Sequence, residues 1–511
     1  MVPMRDGARL SVYLFFPPGN GPWPVLLEQR YSNLRGASSR RNYTRLAQAG
    51  YVVAAQNFRG TFLSEGVHNG YRDLGWGERR DGYDTVEWLA KQKWSTGKVG
   101  TFGGSQAGYA QNFLAVTQPP HLVAQYMTDT GLSLFHLGYR RGGTTRSKRF
   151  FSMLEVCRNP ADGLRWLEET FRHPTYDDYW RDEDCTLHFD KMNVPAFTVG
   201  SWYDFMNVGS IESFIGRQHK GGPASRGKQQ LVIGPWLHGG NKAVPKINEM
   251  EFPANAGFDQ WEHLIRWFDH YLKGKPTGVD RDAPVRYYVM GANEWRTAQD
   301  WPVPAMPTNY YLQPNAALNN ATPPADGGAT EFLADPDNPA TIASRSFPGA
   351  MDARPYERQR EVRTFTTSEL ASDVEWTGRV EAELWVSSSA RDSDFIARVS
   401  DVYPDGRSML IIDSILRARF REGWEKEVLL EPGKVVPLRF EVGWLSQVFP
   451  KGHRIRVTIA STGADFYEPN PNTGEALTIG IAPRVEVARN KVHHGGRFAS
   501  RVIAPVAAVK R

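Results

Sequence analysis

The chain has 511 residues, of which 41% are hydrophobic and 23% charged, with 48 glycines and 34 prolines spread along it. That composition excludes a disordered, collagen-like or coiled-coil protein, and at roughly 100–200 residues per domain the length predicts about three domains. The net charge of +5 names no nucleic-acid partner, and no run approaches the roughly 18 apolar residues of a membrane span. Cys157 and Cys185 are too few for a disulfide framework or a zinc site. They read as unpaired thiols of a reducing, cytoplasmic compartment, with a single bridge as the alternative.

Leu10–Phe16 and Pro24–Glu28 read as strands, Arg40–Ala49 as a helix and Tyr51–Gln56 as a buried strand. The first of these is too short, and too closely followed by Pro17-Pro18, to be a leader, although a trimmed leader and a secreted location stay open. Asp84–Lys93 has helical spacing and Val99–Phe102 is another apolar strand. Such alternation predicts a mostly parallel sheet covered on both faces, in a first segment of residues 1–128. Residues 129–191, rich in aromatics and charges and of helical period, read as a helical cap inserted into the sheet. The strands Pro195–Gly200 and Gln230–Gly234 and the amphipathic helix Phe258–Leu272, stopped by Gly274, complete the core over residues 192–280. From Val285 onward, short runs such as Val380–Val386, Phe395–Val402, Val436–Val442 and Ile455–Ala460 alternate with turn signals. Residues 281–511 therefore read as an all-β sandwich or jelly roll, with residues 313–345 as an exposed connection.

The strongest local signal is Gly103-Gly104-Ser105-Gln106-Ala107, where a short strand runs into a helix over about 106–117. A nucleophile elbow needs this strand–turn–helix context, with small residues two before and two after the serine, here Gly103 and Ala107. A serine hydroxyl also needs a base to take its proton and an acid to orient that base. Asp204 follows the strand ending at Gly200 and His238 follows the strand ending at Gly234, in the order Ser, acid, His. All three lie past the carboxyl ends of predicted parallel strands, where open α/β sheets place their sites. Singly, each also fits an ordinary turn or a structural histidine; the order and placement of the three together favour catalysis. For a developing oxyanion, the Gln106 N–H is one donor by geometry. Tyr31, in the loop after the second strand, reads from spacing alone as a packing tyrosine.

Taken with Met4-Arg-Asp-Gly, Asn57-Phe-Arg-Gly-Thr, Asp81-Gly-Tyr-Asp-Thr-Val-Glu-Trp, Trp202-Tyr-Asp204, Pro235-Trp-Leu-His238, Asp392-Ser-Asp-Phe and Lys451-Gly-His-Arg-Ile-Arg, the chain resembles one family nearly end to end. This is the CocE/NonD group of cocaine esterases and α-amino-acid ester hydrolases, which includes X-prolyl dipeptidyl peptidases and glutaryl acylases. The resemblance implies an α/β-hydrolase core with a helical cap insertion and a C-terminal all-β jelly roll. It implies Ser105 as nucleophile, Asp204 as acid and His238 as base, and makes the Tyr31 hydroxyl an oxyanion donor beside Gln106. Two features depart from the family. Gln106 stands where many relatives have a tyrosine or another bulky residue, and a cap of about 60 residues is shorter than several of theirs. The X-prolyl peptidases carry an additional N-terminal domain, so a chain starting at the first strand points away from that branch.

Trp202, Phe205, Met206 and Trp236 flank the acid and base and are candidate substrate contacts, although aromatics beside strand ends are commonly core. Arg140, Arg141, Arg146, Lys148 and Arg149 either attract a carboxylate-bearing substrate or form a solvated helix face. No metal-binding, Walker or dinucleotide motif is present, so no metal or cofactor is expected. The expected activity is hydrolysis of small carboxylic esters through an acyl-enzyme, with an amidase, β-lactam acylase or aminopeptidase as the alternative. The expected partner is a small-molecule ester or amide, with homo-oligomerisation left open. A non-catalytic hydrolase-like binding module is the rival from another class, and the intact triad argues against it.

Overall fold

Apolar runs buried along their whole length set the architecture of the first half of the chain. The computed structural model describes residues 1–146, 154–239, 246–342, 349–464, 466–476 and 482–507. Nine strands form one sheet: β1 (Val12–Phe15), β2 (Trp23–Arg30), β3 (Val52–Asn57), β4 (Ser95–Gly104), β5 (Leu122–Thr128), β6 (Ala196–Ser201), β7 (Gln230–Gly234), β8 (Val285–Val289) and β9 (Glu294–Ala298), in the spatial order β9-β8-β7-β6-β5-β4-β2-β3-β1. The seven inner strands run parallel, and β1 and β9 close the edges antiparallel. Every residue of β3, β6 and β7 is buried, as expected of parallel strands covered on both faces.

The helices α1 (Ala37–Gln48), α2 (Asp81–Ala90) and α3 (Gln106–Val116) lie between the early strands, and α4 (Pro160–Arg172), α5 (Asn207–Lys220) and α6 (Gln260–Lys273) follow. The α6 helix begins where Asp259 accepts the N–H groups of Trp261 and Glu262, and ends at Gly274 in the left-handed region. Its buried stripe is Leu264, Trp267, Phe268 and Leu272, with Phe258, Trp261, Ile265 and Tyr271 partly buried beside it. Two expectations need correction here. The strand β5, absent from the sequence reading, carries the sheet up to Asp129. The run from Val285, expected to open the all-β region, is β8, which pairs parallel with β7 and extends the hydrolase sheet.

Beyond β9 the chain folds into two further sheets. One is seven-stranded and built around Val374–Ser388, and the other is four-stranded around the wholly buried Asp394–Val402. Their inner residues share one apolar core with the hydrolase sheet. The connection expected over 313–345 contributes strands of its own: Ala329–Ala334 pairs with Ala488–His493, while 343–345 lie outside the described residues.

The insertion after β5 is helical in α4, where the Asn159 side chain accepts the Ala161 N–H. It also holds a ladder of Arg140–Arg141 with Thr144–Thr145, a strand pair the sequence reading did not expect. At Gly142, φ is +55° and an added Cβ would lie 1.7 Å from the Ile415 carbonyl oxygen, so a residue without a side chain lets cap and sandwich touch backbone to backbone. Arg140 is buried and stacked near Phe135 and Trp180, and burial, followed by the charge of Arg417, lowers its guanidinium to about 10. The Arg141 guanidinium donates to the Asp413 carbonyl at 2.8 Å. These two arginines thus bind the cap internally and to the sandwich instead of forming a solvated face. Lys148 and Arg149 lie outside the described residues. Cys157 and Cys185 are free and buried. Among the described residues, no helix is long and apolar enough to cross a membrane.

Candidate active site

Because the inner strands are parallel, the residues just past β2, β4, β5, β6 and β7 gather along one edge of the sheet. Those residues are Tyr31, Ser105, Asp129, Asp204 and His238.

Ser105 sits between β4 and α3 with φ +58° and ψ −120°, a conformation that costs of order 1–3 kcal/mol and is held by its surroundings. Its N–H is directed to the carbonyl oxygens of Thr128 and Asp129, at 3.0 and 3.1 Å, while its own carbonyl accepts the N–H groups of Gly108 and Tyr109. The turn is tight enough that a Cβ at Gly103, where φ is +121°, would lie 2.6 Å from Glu28 Oε1 and 2.8 Å from the Ala107 Cβ. This is the physical content of the small residues on either side of the serine. The start of α3 also directs the positive end of its dipole at this point.

The imidazole of His238 sets Nδ1 at 3.1 Å from both carboxylate oxygens of Asp204. The Asp204 side chain is fully buried, whereas His238 retains 22% exposure. Ser105 and His238 line the same cavity of about 260 Å³, which Asp129, Gly104 and Gly239 also border. On its far side the cavity meets Glu28, which is ion-paired with Arg30 and accepts a hydrogen bond from the Tyr43 hydroxyl. Burial and the Glu28 charge raise the Tyr43 phenol above its ordinary range.

Tyr31 and Gln106 are brought together: the Tyr31 N–H donates to the Gln106 side-chain carbonyl at 2.8 Å. The Tyr31 ring meets Phe58 and Tyr71 edge-on, at 5.7 and 6.3 Å. As the first residue of α3, Gln106 has a backbone N–H with no acceptor inside the helix.

The four aromatic and aliphatic candidates divide. Phe205 stacks on the His238 ring, with centroids 5.0 Å apart and an interplanar angle of 26°, and the Arg146 guanidinium lies over the Phe205 ring, 4.4 Å from its centroid. Trp202 and Trp236 are core residues: their indole N–H groups donate at 2.8 Å to the carbonyls of Tyr288 and Ala256. Met206 is 1% exposed, buried at the start of α5. None of the four borders the Ser105 cavity, and Phe205 reaches the site through its stacking on His238.

Sequence reasoning missed Asp129. It stands at the end of β5 as Asp204 stands beyond β6, a lone acid after a buried run, but with β5 unrecognised it counted as the first cap residue. Its Oδ2 accepts the Gly239 N–H at 2.6 Å. Burial, and then the Asp204 charge, push its carboxyl up to about 7, opposed by the His238 charge, the Gly239 N–H and the nearby Ser201 hydroxyl, which forms no hydrogen bond to it. Asp129, Asp204 and His238 have the composition of a metal-ligand set, with ligand atoms within 4.8 Å of one another. Both Asp204 oxygens are already engaged by the imidazole, and the group has the geometry of an acid–base relay.

Comparison with known proteins agrees with this architecture. Residues 6–160 and 154–240 match the model of the X-Pro dipeptidyl-peptidase (S15) family, and residues 277–503 match the X-Pro dipeptidyl-peptidase C-terminal non-catalytic domain. A cocaine esterase of Rhodococcus sp. (strain MB1 Bresler) is 29% identical over 575 aligned positions, covering 99% of this chain and 97% of that protein. Among solved structures, an α-amino acid ester hydrolase superposes with a TM-score of 0.88 at 23% identity, covering 99% of this chain and 96% of the other. An aminopeptidase from a marine-sediment Thaumarchaeota archaeon superposes with a TM-score of 0.89 at 24% identity over the same shares. With one model over the sheet and cap, the other over the sandwich, and the fold matched throughout, the chain combines an S15 peptidase-family domain with an X-Pro dipeptidyl-peptidase C-terminal domain in an α/β-hydrolase architecture.

Proposed function

We propose that the chain is a serine hydrolase that cleaves carboxylic esters of small acyl compounds, with Ser105 as nucleophile, His238 as base and Asp204 as the acid that orients it. The observation that carries this reading is the pairing of the His238 imidazole with the fully buried Asp204 carboxylate, on the cavity that also holds the strained Ser105. His238 takes the Ser105 proton as the oxygen attacks the ester carbonyl. Asp204 holds the Nδ1–H tautomer and stabilises the imidazolium that forms. The Tyr31 hydroxyl and the Gln106 N–H receive the oxyanion, a role supported by the bond tying the two residues together. His238 then returns the proton to the departing alcohol, and water repeats the cycle on the acyl-enzyme. Activity requires neutral His238, hence a working pH near neutrality or above. The Phe205 ring, lying on the imidazole, shields its face from water, and the apolar lining of the cavity comes from Phe102, Tyr126, Trp261 and Leu264. We divide the chain into hydrolase core at 1–128 and 192–280, cap at 129–191 and jelly roll at 281–511, with β8 and β9 placed on the core sheet.

Ser105→Ala should abolish hydrolysis of p-nitrophenyl esters and labelling by a fluorophosphonate while leaving the melting temperature in place; retained turnover would refute the assignment. The second reading, an amidase or aminopeptidase, is favoured by the peptidase model matched over residues 6–240. Ester and amide substrates sharing one acyl group distinguish the two through their kcat/KM ratio.

A further inference from the structure

Asp129 has no part in the relay just described, yet it bonds Ser105 and the neighbour of His238 and lies close to Asp204. Its carbonyl accepts the Ser105 N–H, its N–H donates to the Val199 carbonyl on β6 at 2.8 Å, and its Oδ2 accepts from Gly239, the neighbour of His238. The residue is 1% exposed, and its Oδ1 is buried with no hydrogen-bond partner. The strands β5 and β6 are adjacent, with Thr128 opposite Val199, so Asp129 and Asp204 approach one imidazole from neighbouring strand ends. Ligand atoms of the two acids and of His238 lie within 4.8 Å of one another.

A buried carboxyl oxygen without a donor is unfavourable, and such a group persists where function or a neighbouring charge uses it. We propose that Asp129 is a second acid of this site: a positioning residue that anchors the His238 loop through Gly239 and shares with Asp204 the orientation of the His238 imidazole. The groups facing it are Asp204, His238, the Ser201 hydroxyl and the Gly239 N–H. Its neutral form lets the two carboxyls share one proton, and its ionised form adds a second negative charge beside the imidazolium. A carboxyl pushed up to about 7 passes between these forms within the working range.

The inference rests on the Ser105–His238–Asp204 reading, and its test is the rate of fluorophosphonate labelling at Ser105, followed by mass spectrometry from pH 5 to 9. Asp129→Asn keeps an acceptor for Gly239 but cannot ionise. Its acid limb should move to lower pH, because an anion that favours the protonated imidazole has gone. Asp204→Ala should label above the Ser105→Ala background, and adding Asp129→Asn should lower that residual rate by about tenfold or more. An unshifted acid limb, or a double variant no slower than Asp204→Ala, overturns the proposal. Asp129→Ser, which also offers an oxygen to Gly239, repeats the comparison if circular dichroism shows the Asn variant misfolded. Wild-type protein left unlabelled at Ser105 would instead defeat the underlying triad.

Discussion

Tyr31 and Gln106 offer the sharpest quantitative test of the oxyanion assignment. Tyr31→Phe removes one hydroxyl and leaves the ring against Phe58 and Tyr71. A donor aimed at a developing oxyanion contributes about 2.7–4 kcal/mol of barrier, so kcat should fall about 100- to 1,000-fold. Gln106→Ala acts one step removed: its backbone N–H stays, but the half-buried Tyr31 N–H loses the acceptor held at 2.8 Å. An unsatisfied donor of that kind costs about 1–3 kcal/mol. If the whole cost fell on the placement of the Tyr31 loop, kcat would drop about 5- to 150-fold. Because Gln106 works through Tyr31, the double variant should be scarcely slower than Tyr31→Phe alone. The assay is kcat and KM on p-nitrophenyl acetate and butyrate, with thermal denaturation to verify the fold. A Tyr31→Phe variant within about threefold of wild-type kcat would remove the hydroxyl from the mechanism. Fully multiplicative effects would remove the link between the two residues.

Two further outcomes concern the fold. Gly103→Ala combines a positive φ, at about 1–2 kcal/mol, with overpacking against Glu28 and Ala107, at about 1–3 kcal/mol, and should lower the melting temperature as well as the labelling rate; an unchanged melting curve would contradict the tightness of the elbow. Glu441 faces Glu212, Arg379, Arg141 and Glu381, and burial, followed by the Glu212 charge, raises its carboxyl to about 8. A carboxyl raised in the folded state withdraws stability as pH climbs from its unfolded value through that point. Glu441→Gln should therefore raise the melting temperature at pH 9 and leave it nearly unchanged at pH 5, and equal shifts at both would exclude this ionisation.

The elbow was legible in sequence because its requirement is local: a turn in which Gly103 and Ala107 nearly touch admits only small residues. Asp204 and His238 were legible because each follows a short, mostly apolar and wholly buried strand. The strand β5, Leu122-Val-Ala-Gln-Tyr-Met-Thr128, mixes polar and apolar side chains in the middle of the sheet. Gln125 is tolerated there because its amide bonds Thr101 and the Gln111 carbonyl, contacts that only the assembled fold supplies. The destination of β8 was hidden for a related reason, since five β-forming residues do not reveal which sheet they join. The division among Trp202, Phe205 and Trp236 depends on the direction each side chain takes as the chain turns away from its strand, which spacing alone does not encode.

The reach of β8 and β9 across the compositional boundary has a consequence for how the gene can be cut. Met290, directly after β8, bonds through its backbone to Ser446 and Val448 of the sandwich, at 3.0 and 2.8 Å. A fragment ending at residue 280 would strip the final parallel strand from beside β7 and leave that strand as a raw, aggregation-prone edge. A fragment ending after Ala298 keeps the sheet intact, although it severs the stitch at Met290, the Arg296–Glu375 ion pair and the apolar core shared with the sandwich. Separate expression of the hydrolase half, or grafting of a foreign sandwich onto it, should therefore place the junction beyond Ala298.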